Sequence, residues 1–139
     1  MMDRLLQVAN FKGYLLVALG GAFGCMLRWF LSKNGFFGQG GVPKSTLAAN
    51  LIAALILGLS AGLLERFQEE GGAAPLYLFT SVGFAGGLST FSTFAFEILN
   101  LITAGSVGTA LLSLVLNVVL SVLLVLAGRF LIHSGFPGA

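Results

Sequence analysis

The chain has 139 residues, 57% of them hydrophobic and 9% charged, with a formal net charge of +2 and a mean hydropathy of +0.99. Soluble domains carry about 25% charged residues, so a water-facing globule is excluded and the lipid bilayer becomes the expected surroundings, with no nucleic acid among the partners. One His (His133) and one Cys (Cys25) cannot supply a metal cluster, a Cys–His catalytic pair or a disulfide within one chain.

A membrane-spanning helix needs roughly 20 mainly apolar residues. Four stretches qualify, at about 13–31, 46–64, 75–102 and 108–132. The segments between them, 32–45, 65–74 and 103–107, leave no room for a soluble domain. The expected fold is therefore an all-α integral membrane protein, a single domain of four spans.

Arg4 and Lys12 before the first apolar run imitate a secretory leader, but no clean small-x-small cleavage site follows, and Arg28-Trp29 closes the run as a span end would. Tyr14, Trp29 and Tyr77 fall near predicted span ends, where amphipathic rings prefer to lie. Gly20 and Gly24 in span one, and Ala54, Gly58 and Gly62 in span two, recur every fourth residue, so each set offers one face for close helix approach, within a subunit or between subunits. Cys25 reads as a small packing residue. Thr46 and Asn50 share a face of span two. Glu65, Arg66, Glu69 and Glu70 read as a solvated loop. In span four, Ser113, Asn117 and Ser121 repeat at four-residue spacing and form a polar track.

Span three is overlong and carries Gly83-Phe84-Ala85-Gly86-Gly87-Leu88-Ser89-Thr90-Phe91-Ser92-Thr93-Phe94 near its middle. Three glycines and four hydroxyl residues in one dozen positions weaken a helix. Unwound backbone at membrane depth is tolerated only where protein or a wet cavity receives its freed polar groups, so a helix break is expected near 83–90, and with it an ion or substrate site. Close helix packing competes as an explanation for Gly83 and Gly86, but does not account for Ser89, Thr90, Ser92 and Thr93. Phe91 and Phe94, three apart, point in similar directions, and Glu97 one turn on is the only acid within any span.

Both termini and the 65–74 loop share one side of the membrane, with Arg4, Lys12, Arg66 and Arg129; Arg28, Lys33 and Lys44 lie on the other. Orientation follows a clear Lys/Arg excess on the cytoplasmic side, and four against three is none, which permits an antiparallel pair of subunits. The accessible donors are hydroxyls, amides and backbone N–H groups, with Arg28 near one end and no ring of carboxylates. Phenyl ring edges are positive, so anion passage is chemically sensible, while half-helix carbonyls at the break suit a small cation. Composition does not name the ion.

Three motifs resemble the Fluc fluoride channels, also called the CrcB family, over essentially the whole chain. Gly20-Gly21-Ala22-Phe23-Gly24-Cys25-Met26-Leu27-Arg28-Trp29 is similar to that family's glycine-rich first span ending in Arg. Ser45-Thr46-Leu47-Ala48-Ala49-Asn50 resembles its Gly-Thr-Leu-x-x-Asn opening of span two. The run from Gly83 to Phe94 resembles its signature Gly-Phe-x-Gly-Gly-x-Thr-Thr-Phe-Ser-Thr-Phe, long and chemically unusual enough to be specific.

The resemblance implies a passive fluoride channel in the cell membrane that exports fluoride and protects against its toxicity, built as an antiparallel, dual-topology homodimer with two pores. By it, Phe91 and Phe94 face fluoride with their ring edges and Asn50 donates its amide nearby. Arg28 and Glu97 take the family's charged positions. Thr46, Ser92, Thr93, Ser113, Asn117 and Ser121 join the polar lining, and the backbone carbonyls of Gly86 and Ser89 hold a central structural sodium ion (Na+). Ser89 stands where the family often has Thr, Ser45 replaces a common Gly, and Asn117 varies the track. A small multidrug-type dual-topology exporter remains as the alternative, although it needs a membrane-embedded acid in span one and span one has none. An enzyme is not expected: Pro43-Lys44-Ser45-Thr46 lacks the spacing of a phosphate-binding loop.

Overall fold

The computed structural model describes residues 11–33, 41–67 and 73–135; Arg4, Glu69 and Glu70 lie outside them. Among the described residues, four helical stretches are long and apolar enough to cross a membrane: α1 (Phe11–Lys33), α2 (Lys44–Arg66), Ala73–Thr103 and Val107–Gly135. Each outruns its expected apolar stretch at both ends. Helices continue through Lys33, Lys44 and Arg66, because long basic side chains cover apolar surface with their stems while the charge reaches water. Proline does not interrupt the spans. Pro43 is the N-cap of α2, and its carbonyl accepts the Leu47 amide at 3.1 Å. Pro75 sits in the first turn of α3 (Ala73–Tyr77), where an amide proton would have no helical partner.

The third span is built in pieces. After α3 comes a π-helix (Leu78–Ala85), then a short α4 (Gly86–Leu88), two extended residues, and α5 (Phe91–Thr103). The break lies at Ser89 (ψ 153) and Thr90 (φ −152, ψ 114), at the end of the expected window. The glycines before it stay helical, Gly86 with φ −62 and ψ −39. Two of them serve close packing. A Cβ on Gly83 would run into the backbone of Val17, Gly20 and Gly21, and one on Gly87 would run into Gly21. Gly86 differs, since a Cβ there would meet only the Ser81 carbonyl, at 3.8 Å. Close approach thus explains Gly83 and Gly87, and not Gly86.

The small-residue faces meet within one subunit. Gly20 and Gly24 of α1 lie against the backbone of the third span at Phe79–Phe84 and at Phe84–Leu88. Gly58 of α2 crosses Val125 of the fourth span, and Gly128 of that span packs on Leu55, Gly58 and Leu59. Backbones in contact gain dispersion and weak carbonyl contacts that larger side chains would hold apart. The buried centre is correspondingly small-grained: Ala49, Ala53, Ala85 and Leu88, the last fully enclosed.

The turn into the fourth span reverses direction in three residues. Gly105 (φ +77) stands just past the end of α5, its amide bonds the Ile102 carbonyl at 3.0 Å, and the Ser106 amide bonds Leu101 at 2.8 Å. This is a Schellman closure, which requires a left-handed residue after the helix end and so favours Gly. The fourth span then runs as α6 (Val107–Val115), a π-helical turn (Leu116–Leu120) and α7 (Ser121–Gly135). At its far end Arg129 Nε donates to Glu65 Oε2 at 2.8 Å, with His133 Nε2 3.4 Å from the same oxygen. Glu65 is therefore no loop residue: it sits in the last turn of α2 and ties that helix end to α7. Outward-facing Leu, Val and Phe side chains, such as Phe23, Leu111 and Phe130, cover the bundle as a lipid-facing surface requires.

Candidate ion pathway

The break is positioned by two devices. Thr90 is the N-cap of α5, and its hydroxyl oxygen accepts the Thr93 amide at 3.3 Å; Thr is a favoured residue there because it satisfies an orphan helical donor. The Thr90 amide, which in a continuing helix would bond the Gly86 carbonyl, donates instead to Asn50 Oδ1 at 2.8 Å. Ser89 is extended, and its carbonyl accepts Arg28 Nη1 at 3.2 Å. Gly86 and Ser89 thus both present carbonyls that helix hydrogen bonding does not consume in the usual way.

Two cavities adjoin at Thr90, which lines both. The more polar one, about 360 Å³, is walled by Arg28, Thr46, Ser92 and Thr93, together with Cys25, Trp29, Ser32 and Ser45. The other, about 420 Å³, is mostly apolar (Ala53, Leu57, Ala85, Val118, Val125) with a sparse polar set of Asn50, Ser81, Ser89, Asn117 and Ser121, and with Phe91 and Phe94 in its wall. The charged, hydroxyl-rich cavity is termed the vestibule and the drier one the chamber; the Asn50–Thr90 contact lies where they adjoin.

Most of the expected residues converge here, with differences. The Phe91 and Phe94 rings stand 6.0 Å apart and tilted by 57°, but Phe94 is 7% exposed while Phe91 is 79% exposed. The two share a contact without sharing an environment. Asn50 is already engaged, since its Nδ2 donates to Asn117 Oδ1 at 2.9 Å, which leaves one of its two amide protons for another acceptor. Asn117 Nδ2 in turn donates to the Ser113 carbonyl at 3.0 Å. The track on the fourth span is split by the π-helical turn: Asn117 and Ser121 line the chamber, while Ser113 is fully enclosed with its Oγ unpartnered. Cys25 is exposed and accepts Arg28 Nη2 at 3.6 Å, so it lines the vestibule and does not pack the span.

The match to known proteins is extensive. The family model for CrcB-like protein, Camphor Resistance (CrcB), matches residues 15–129. The chain belongs to the CrcB family. It is 38% identical over 120 residues to the fluoride-specific ion channel FluC of Pseudomonas aeruginosa, covering 86% of this chain and 92% of the relative. It is 39% identical over 124 residues to the FluC of Escherichia coli O1:K1, covering 87% and 94%. The FluC of Erwinia tasmaniensis is 36% identical over 128 residues, covering 90% and 98%. These CrcB-family relatives are named as ion channels, a class distinct from enzymes.

Three features of this CrcB-family chain escaped the sequence. Thr46 and Glu97 pair directly, Thr46 Oγ1 donating to Glu97 Oε1 at 2.6 Å, although they are 51 residues apart. Thr90 as a helix cap was legible in principle: Thr is a favoured N-cap residue directly before the first position, Phe91, of an apolar-periodic segment. Ser81 was not legible, because nothing in its neighbourhood marks it as facing a cavity.

Proposed function

We propose that this chain forms a passive, fluoride-selective channel in the cell membrane that lets fluoride leave the cell and so protects against its toxicity. The observation that carries this reading is the Phe91–Phe94 pair, bordering the same chamber as Asn50, which keeps one uncommitted amide proton at the helix break. A permeating anion must exchange its hydration shell for donors in the wall. Hydroxyls, an amide proton and the positive edges of phenyl rings supply these without a fixed cation that would trap the ion. Arg28 at the vestibule raises the local anion concentration. The names of the relatives support fluoride as that anion. A multidrug-type exporter is disfavoured, since α1 holds no acid and the acid in the third span, Glu97, is bonded to Thr46.

The active unit is an antiparallel homodimer with two pores. Phe91 is largely uncovered in a single subunit, and the chamber it borders is open on one side; a second copy of opposite orientation closes it. The near-balance of basic residues lets both orientations insert. A structural sodium ion fits the break. Sodium is a hard cation that takes oxygen ligands, and the break offers the Gly86 carbonyl, which the Thr90 amide leaves, and the second lone pair of the Ser89 carbonyl, whose other acceptor site Arg28 occupies. Two carbonyls are too few for a closed shell, so a partner subunit would have to supply further oxygens. Bound there, the ion would offset the dipoles of carbonyls that helix hydrogen bonding does not use.

Purified protein in liposomes, with fluoride and chloride efflux read by ion-selective electrodes, tests the reading. Fast fluoride efflux without a pH gradient, with chloride retained, is expected. Equal chloride efflux, or fluoride flux that depends on a proton gradient, refutes it.

A further inference from the structure

The first half of the third span carries two hydroxyls, Thr80 and Ser81, with Ser60 of α2 beside them, and two of the three are spoken for. Thr80 Oγ1 donates to the Leu76 carbonyl at 2.7 Å, the usual resting place of a helical hydroxyl. Ser60 of α2 lies 2.8 Å from Thr80 Oγ1 and donates to it, since the Thr80 proton is already committed. Ser81 is different. Only 4% exposed, it has an Oγ with no partner at all. Its local acceptor would be the Tyr77 carbonyl, and it makes no such bond.

The π-helix over Leu78–Ala85 places this residue. A π-helical stretch shifts the register of the side chains that follow, and such stretches recur at functional sites. Here the result is that Ser81 lines the 420 Å³ chamber together with Phe94, Asn117 and Ser121. Gly86 adjoins the same residue and lines the same chamber: a Cβ there would reach ordinary contact distance, 3.8 Å, from the Ser81 carbonyl. A buried hydroxyl left without a partner is costly, so one that persists in a chamber wall is waiting for a ligand. Among the described residues no carboxylate lines the chamber, so the ligand it suits is an anion that needs donors.

We propose that Ser81 is a further anion-contacting residue, whose hydroxyl donates to fluoride in the chamber shared with Phe94, Asn117 and Ser121. This rests on the channel reading above. It extends the pathway from the second half of the third span onto the first, so that a dehydrated ion leaving the Phe pair meets a donor from each side of the break.

The test compares wild type, Ser81→Ala and Ser81→Cys in liposomes, with dimer content measured by size exclusion before and after reconstitution. Alanine removes the donor and adds no bulk; cysteine keeps the shape and offers only a weak donor. Fluoride efflux per dimer should fall about tenfold or more in Ser81→Ala, the size of one lost hydrogen bond to a charged group. Ser81→Cys should fall between alanine and serine, with the dimer intact throughout. Wild-type rates in Ser81→Ala or in Ser81→Cys overturn the proposal and leave the channel reading standing. A dimer that weakens while efflux per remaining dimer is unchanged also overturns it, assigning the hydroxyl to a subunit contact. If wild type itself carries no fluoride, both readings fall together.

Discussion

Asn50 Oδ1 accepts the backbone amide of Thr90 at 2.8 Å, so a side chain of the second span takes the hydrogen bond that the broken third span gives up. The same carboxamide donates to Asn117 at 2.9 Å. One residue thereby joins three spans at the point where the vestibule meets the chamber.

Shortening that bridge should affect structure and flux together. Asn50→Ser reaches neither partner and leaves the Thr90 amide unpaired, at a cost of about 1–3 kcal/mol. Asn50→Asp keeps the acceptor for Thr90 but opposes a carboxylate to Asn117 Oδ1 and places negative charge in the anion's way. Both variants should purify as folded protein, with Asn50→Ser the less stable by thermal unfolding and both slow in fluoride efflux. Normal flux in both would reduce Asn50 to a brace.

Phe94 is buried and borders the chamber, so packing and anion contact are both open to it. Phe94→Ile preserves much of the apolar bulk and removes the ring edge. As packing alone, the change should cost less than about 1.5 kcal/mol. Fluoride efflux should fall far more than this loss of stability explains, with the dimer still intact on size exclusion. A variant that conducts normally would move the pathway away from the ring.

The glycines of the third span make a paired prediction. Gly87→Ala drives a methyl group into the Gly21 backbone, which cannot step aside. It should cost about 1–3 kcal/mol or prevent assembly. Gly86→Ala meets only ordinary contact distance and should fold as well as wild type, while narrowing the chamber beside Ser81. Thermal stability in detergent separates the two. Equal destabilisation would mean that the α1 crossing is looser than its geometry indicates.

At Gly105 the requirement is conformational. Nothing lies within 4 Å of a Cβ there, but φ is +77. Gly105→Ala should therefore cost about 1–2 kcal/mol from left-handed strain alone, with selectivity unchanged. Unfolding measurements showing no loss would indicate that the turn relaxes into another closure.

Insertion gives the last test. Single cysteines at Lys33 or Lys44, introduced with Cys25 replaced by Ser, should react with an impermeant thiol reagent added to either face of the cell membrane. Moving two basic residues to one side should bias orientation and reduce functional dimers. Labelling of every copy from one face alone would rule out the antiparallel pair.

Hydropathy by itself determined four spans, because a bilayer enforces a minimum apolar length and penalises charge wherever it falls. The local sequence from Gly83 to Phe94 likewise marked the third span as interrupted, since glycine and hydroxyl runs at membrane depth need an unusual backbone to justify them. Spacing could not say which residue breaks the helix. Gly83 and Gly87 are there for contact with α1, and the interruption falls at Ser89 and Thr90 because Asn50, forty positions earlier, captures the Thr90 amide. Nor could periodicity show that Thr46 meets Glu97, that Glu65 clasps Arg129, or that Ser81 turns toward the chamber. The first two are contacts between distant spans, and the third depends on a π-helical register that a 3.6-residue repeat does not contain. Apolar length and local backbone strain are written residue by residue along a chain, whereas the partner of a buried polar group exists only once the spans have packed.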